Sequence, residues 1–136
     1  MATPTAGSQK TILIIDDQPF FVTMQQNLLK QQGYRVLAAT NGADGLARAK
    51  QYKPDLILLD IEMPGMDGFA VCERLKQDAE LQQIPVVILT ATQDVKLNER
   101  AFKAGAEVTI LKSVSGERLL NMLRIALEKG KPSTPA

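Results

Sequence analysis

The chain of 136 residues has no histidine. That removes a common metal ligand, the usual general base and any phosphohistidine, so chemistry must come from carboxylates, hydroxyls and lysines. It has one cysteine, Cys72, which cannot form an internal disulfide and fits a reducing, cytoplasmic setting. No apolar run approaches the ~18 residues that span a bilayer, and Met1 to Lys10 lacks the apolar core of a signal peptide. Excess charge is missing too: sixteen basic and fifteen acidic residues leave a net charge of +1. Nothing there calls for a nucleic-acid or membrane partner. What is present is a 45% apolar chain of one-domain length.

Composition divides it into a polar lead over residues 1–9, a domain over 10–129 and a flexible tail over 130–136. Within the domain, five short apolar runs predict strands: Thr11–Ile15, Tyr34–Ala39, Asp55–Leu59, Pro85–Leu89 and Val108–Leu111. Most are continuously apolar, as strands buried on both faces of a parallel sheet are. Helices are expected between them. The first covers Pro19 to Gln32, with Phe21, Met24 and Leu28 on one face and Gly33 as its stop. The second follows an Asn41 cap to Gln51, and the third follows Asp67 to Asp78. The fourth runs from Asp94 to Ala104 before Gly105. The fifth runs from Ser115 to Lys129, with Leu119, Leu123 and Leu127 as its stripe. Strict β-α alternation predicts an α/β, flavodoxin-like, doubly wound five-stranded parallel sheet with helices on both faces. The order that fits is 2-1-3-4-5.

In such sheets ligands sit beyond the carboxyl ends of the strands, at the switch point between strands 1 and 3. Strand 1 ends in Asp16-Asp17, strand 3 in Asp60, strand 4 in Thr90 and strand 5 in Lys112. Taken singly, an Asp or Thr after a strand is a cap or turn former. Together, three carboxylates at adjacent strand ends repel. At ~4 Å and an effective dielectric of ~20, each close pair costs on the order of 4 kcal/mol. A hard divalent cation relieves that conflict, and Mg²⁺ prefers such oxygen sites. A carboxylate can also be the nucleophile that forms an aspartyl phosphate, with an ammonium and hydroxyl donors holding the phosphoryl oxygens. Cys72, among Phe69, Val71 and Leu75, reads as core packing, and Met63 and Met66 as packing or loop contacts. Asp67 reads as a helix cap.

The motifs Ile14-Ile15-Asp16-Asp17, Leu58 through Gly68 (LLDIEMPGMDG), Pro85 through Ala91 (PVVILTA), Ala104-Gly105-Ala106 and Lys112 occur in order over about Lys10 to Lys129. In these the chain resembles the receiver domain of bacterial two-component response regulators. The resemblance implies a cytoplasmic phosphoacceptor switch, not a turnover enzyme, although it assists its own phosphorylation and dephosphorylation. Asp60 would be the acceptor. Asp17 would bind Mg²⁺ directly, with Mn²⁺ able to substitute. Asp16 would bind mainly through water, Asp60 by its carboxylate and Glu62 by its backbone carbonyl. Thr90 would contact a phosphoryl oxygen, and Lys112 would bridge phosphoryl and carboxylate. Glu62 and Thr92 occupy positions that tune dephosphorylation, and Thr90 and Thr109 are the switch positions. The implied partners are a histidine kinase or a histidine phosphotransfer protein as donor, and an output partner. The implied assembly is a monomer or a weak homodimer through the helix 4 to helix 5 face.

Two departures stand out. Family members usually carry proline after the strand-5 lysine, in a cis bond; here it is Ser113. A cis bond before serine costs ~2.5–4 kcal/mol, so the expectation is a trans bond with a rearranged loop or a strained cis one. Thr109 stands where an aromatic residue often stands, so the output coupling is expected to be weaker or differently built. These departures motivate an alternative, a phosphorylation-independent interaction module. An aspartyl hydrolase of the haloacid-dehalogenase type ranks lower, because Asp16-Asp17-Gln18 is not Asp-x-Asp and no cap domain is present.

Overall fold

Alternation of β-branched and leucine residues with helical segments yields β1 (Thr11–Ile15), α1 (Pro19–Gln31), β2 (Arg35–Ala39), α2 (Gly42–Tyr52), β3 (Leu56–Asp60), α3 (Gly68–Gln77), β4 (Val86–Thr90), α4 (Val95–Ala104), β5 (Val108–Leu111) and α5 (Gly116–Gly130). The computed structural model describes residues 9–63, 65, 67–92 and 94–130. Most of the expected lead, the tail from 131 onward, and Pro64 and Met66 of the loop after β3 lie outside the described residues. All strand pairs are parallel, and the sheet order is β2-β1-β3-β4-β5. The expected fold and order are therefore observed. Strand limits move by one residue: Tyr34, Asp55 and Pro85 precede their strands, while Asp60 and Thr90 close theirs. The helix edges also move, and α5 continues through Gly130.

Period-two alternation divides the strand side chains between two cores. Leu13, Ile15, Ile57, Leu59 and Ile88 face α2, α3 and α4, where Ala49, Val71, Cys72, Leu75 and Ala101 meet them. Ile12, Ile14, Leu56, Leu58, Val87, Leu89 and Ile110 face α1 and α5, where Leu29, Leu119 and Leu123 meet them. With both faces covered, continuous apolar strands are what the architecture requires.

The expected face of α1 is corrected. Met24 is 46% exposed, whereas Gln25 and Leu29 are buried and Phe21, Val22 and Leu28 are half-buried. The buried stripe is rotated by about one residue, and a glutamine holds its centre. The Gln25 Oε1 atom is buried without a hydrogen-bond partner.

Caps fix the loops that carry the site. Asn41 accepts from the Asp44 N–H, and Asp94 from the Lys96 N–H. Asp67 accepts from the Phe69 N–H, as its reading as a cap anticipated. Its other oxygen takes Arg100 at 3.1 Å, and that guanidinium also lies 4.2 Å from the Phe69 ring centroid. Gly68 packs so closely on the end of β3 that a Cβ added to it would lie 2.5 Å from the Ile61 Cα. Backbone cannot yield there as a side-chain tip can. Gly68→Ala is therefore expected to cost about 2–3 kcal/mol, measured as a lower urea midpoint at an unchanged slope. An unchanged midpoint would show that the loop relaxes freely.

Candidate functional site

Register puts the acidic residues side by side. Ile15 pairs with Leu59, so Asp16 and Asp60 follow on neighbouring strands; Asp60 itself pairs with Leu89, and Thr90 with Leu111. Asp16, Asp60 and Thr90 are each 1% exposed. Side-chain-to-backbone turns aim the carboxylates: Asp16 Oδ1 accepts from the Gln18 N–H at 2.9 Å, and Asp60 Oδ1 from the Glu62 N–H at 3.0 Å. The opposite oxygens are left over. Asp16 Oδ2, Asp17 Oδ1 and Asp60 Oδ2 are buried with no hydrogen-bond partner. One ligand atom from each of Asp16, Asp17 and Asp60 lies within 4.8 Å of the others. Buried carboxylate oxygens without hydrogen bonds are costly unless cations meet them. The donor set is all hard oxygen, which fits Mg²⁺.

The electrostatics agree. Burial holds the Asp16 carboxyl above its ordinary 3.8. The Gln18 N–H opposes this, the Asp60 charge adds to it, and Lys112 opposes it.

Lys112 reaches this group from β5. Its Nζ lies 3.1 Å from Asp60 Oδ2 and 3.4 Å from Asp16 Oδ2, with its side chain 7% exposed. Its hydrogen bond goes to Gln18 Oε1 at 2.9 Å, and the Phe21 ring centroid lies 4.5 Å away. No peptide bond among the described residues is cis, so Lys112–Ser113 is trans. The turn is closed by the Val114 N–H donating to the Leu111 carbonyl at 3.1 Å, and the Lys112 N–H donates to the Thr90 carbonyl at 2.8 Å. Of the two expected alternatives for this bond, the trans form is present, and the lysine still arrives at the acid group.

Gln18 and Phe21 were missed by the sequence reading. Gln18 follows the Asp16-Asp17 pair directly and Phe21 lies in the first turn of α1, but their contact with Lys112 spans the sheet, and only the strand order brings β5 close enough to reveal it.

The remaining candidates are placed as follows. The Thr90 hydroxyl donates to the Thr92 carbonyl at 3.0 Å and accepts from the Thr92 N–H at 3.2 Å. Thr92 itself is exposed. The exposed Glu62 side chain accepts from the Ala91 N–H through Oε1 at 2.7 Å. A cleft of about 450 Å³ opens here, lined by Gln18, Phe21, Glu62, Ala91, Lys112 and Ser113. Thr109 is half-buried away from the acid group. It shares a cavity of about 320 Å³ with Thr90, Asn98 and Met122.

Met63 and Cys72 are in the core, as expected. The Cys72 Sγ donates to the Ala104 carbonyl at 3.4 Å, and burial pushes its thiol up to about 11. At pH 8 the folded protein is expected to leave an aromatic disulfide reagent unreacted, and urea to expose one thiol. Rapid native labelling would contradict this placement.

The response regulator receiver domain model matches residues 12–124. The chain is 40% identical over 116 residues to Protein PilH of Pseudomonas aeruginosa, covering 85% of this chain and 96% of PilH. It is 33% identical over 115 residues to the polar-differentiation response regulator DivK of Brucella anthropi, covering 85% of this chain and 94% of DivK. Among solved structures, the chemotaxis protein CheY4 of Vibrio cholerae superposes with a TM-score of 0.84 at 26% identity, over 87% of this chain and 98% of that one. The chain belongs to the response regulator receiver family of two-component signalling. Among the described residues, no helix is long and apolar enough to cross a membrane.

Proposed function

We propose that the chain is a cytoplasmic phosphoacceptor that takes a phosphoryl group on Asp60 from a histidine kinase or histidine phosphotransfer protein. The observation that carries this reading is the set of three buried carboxylate oxygens without a hydrogen-bond partner, two of which Lys112 faces at 3.1 Å (Asp60) and 3.4 Å (Asp16). Asp16, Asp17 and Asp60, with the Glu62 backbone carbonyl, would hold Mg²⁺ (or Mn²⁺). When bound, the metal supplies charge neutralisation at the phosphoryl oxygens. An Asp60 carboxylate oxygen attacks the donor phosphorus: the new O–P bond forms as the P–N bond to the donor imidazole breaks, and the electron pair leaves on that nitrogen. Lys112 offsets the charge of Asp60 and of the incoming oxygens. The Thr90 hydroxyl turns from the Thr92 carbonyl to a phosphoryl oxygen. Side chains at Glu62 and Thr92 border the path of an attacking water.

Phosphorylation then shifts the balance between two conformations, one of which a partner prefers. Thr109 and the face made by α4, β5 and α5 would carry that change. Phe102, Val95 and Ile125 are 80%, 72% and 56% exposed there, an apolar surface suited to a partner or a weak homodimer. The protein assists its own phosphorylation and dephosphorylation without being a turnover enzyme.

The test is incubation with acetyl phosphate and Mg²⁺, read as intact mass, with an EDTA control. A single phosphoryl adduct that EDTA prevents is expected. Folded protein that gives no adduct with acetyl phosphate or with a phosphotransfer protein would favour an interaction module.

A further inference from the structure

Resting on the phosphoacceptor reading, we propose that Glu62 is a built-in anion that occupies the phosphoryl seat and must be displaced when the phosphoryl group arrives. The Ala91 N–H follows the buried Thr90 directly and opens on the same cleft as Lys112. A backbone N–H that accommodates a carboxylate oxygen at 2.7 Å can accommodate a phosphoryl oxygen, because both are charged acceptors of similar size and reach. The donors on this side of the cleft are thus already used. Thr90 donates to the Thr92 carbonyl, and Ala91 donates to Glu62.

Glu62 is two residues from Asp60, and its own N–H is tied to Asp60 Oδ1. Backbone and side chain therefore act on opposite sides of one short loop: the N–H orients the acceptor carboxylate, and the carboxylate holds the β4 end. Such a bridge sets a threshold. An incoming phosphoryl group must compete for the Ala91 N–H and also overcome like-charge repulsion from the carboxylate that leaves it. Glu62 is exposed, so it can swing into water without a desolvation penalty, and added salt screens the repulsion. Glu62 is a positioning residue here. It gates access of small anionic donors without touching the reacting bond.

Beryllofluoride, a tetrahedral phosphoryl mimic, is the probe, titrated at saturating Mg²⁺ into the wild-type chain, Glu62→Gln and Glu62→Ala. Glu62→Ala is expected to bind about tenfold more tightly than wild type, the gain from releasing one charge-assisted hydrogen bond and its repulsion. Glu62→Gln keeps an acceptor without the charge and is expected to fall between. Without the probe, the Ala91 amide proton resonance is expected to move upfield in Glu62→Ala, as a lost hydrogen bond requires. Equal affinities in all three proteins, or an unmoved Ala91 resonance, would overturn the gate while leaving Asp60 as acceptor. If none of the three binds beryllofluoride although each is folded and binds Mg²⁺, the phosphoacceptor reading fails and the gate fails with it.

Discussion

Replacing Lys112 with methionine is expected to slow acyl phosphate formation by about 10²- to 10³-fold and to destabilise the protein in EDTA by about 3 kcal/mol. Both effects come from one position. The Lys112 Nζ is the cation within 3.4 Å of two buried carboxylates, and its side chain is 7% exposed. Among the described residues, removing it leaves Asp16 and Asp60 without an ion-pair partner, the situation in which breaking a buried pair costs most. Methionine keeps most of the stem volume beside Phe21, so lost packing contributes little. Mg²⁺ is expected to restore much of the stability and little of the rate, because it can neutralise the acid group but cannot reproduce the ammonium at the cleft. Chemical denaturation with and without Mg²⁺, beside a rate with acetyl phosphate, separates the two. A rate and a stability both within twofold of wild type would show that Lys112 is a bystander.

Asp16→Asn is expected to act in the opposite sense on stability. At pH 7 in EDTA it should raise stability by about 2 kcal/mol, or ~6 °C in Tm, and abolish the stabilisation by Mg²⁺. Asn Oδ1 can still accept from the Gln18 N–H, while the amide replaces a charge that Asp60 repels. The pH dependence follows from the direction of the Asp16 shift. Its folded-state pKa lies above 3.8, chiefly through burial, so the folded chain binds this proton more tightly than the unfolded chain. Stability from this group is therefore lost as pH rises through that window. The advantage of the asparagine variant should be absent below 3.8, grow across the window and be full at neutral pH. A gap that does not change with pH would mean that charge repulsion is not its source.

Much of this site is legible in the chain because its members close a strand or follow one within two residues. Periodicity located the strands, and parallel topology brings their ends together, so Asp16, Asp17, Asp60, Thr90 and Lys112 could be collected before any coordinates. Caps were legible for the same local reason, since Asn41 and Asp67 bond within three residues. Contacts that depend on distant loops were not. The Gln18–Lys112 bond spans 94 positions and the Glu62–Ala91 bond 29, and neither residue type announces its partner. The face of α1 differs from the expected Phe21, Met24 and Leu28 stripe because the apolar pattern there does not exclude a buried glutamine. The apolar choice with Met24 concealed the real one, which has Gln25 at its centre. The Lys112–Ser113 bond was left between two forms because sequence shows that proline is missing but not how the turn is closed instead.

The most direct measurement traps the acyl phosphate. The protein is incubated with Mg²⁺ and acetyl phosphate, reduced with borohydride, digested and mapped by mass spectrometry. Borohydride converts an acyl phosphate to the corresponding alcohol, which marks the acceptor. The account predicts homoserine at Asp60 alone, and none when EDTA is present. Reduction at Asp16 or Asp17 instead, or an unchanged Asp60 in folded protein that carries a phosphoryl group, would contradict it.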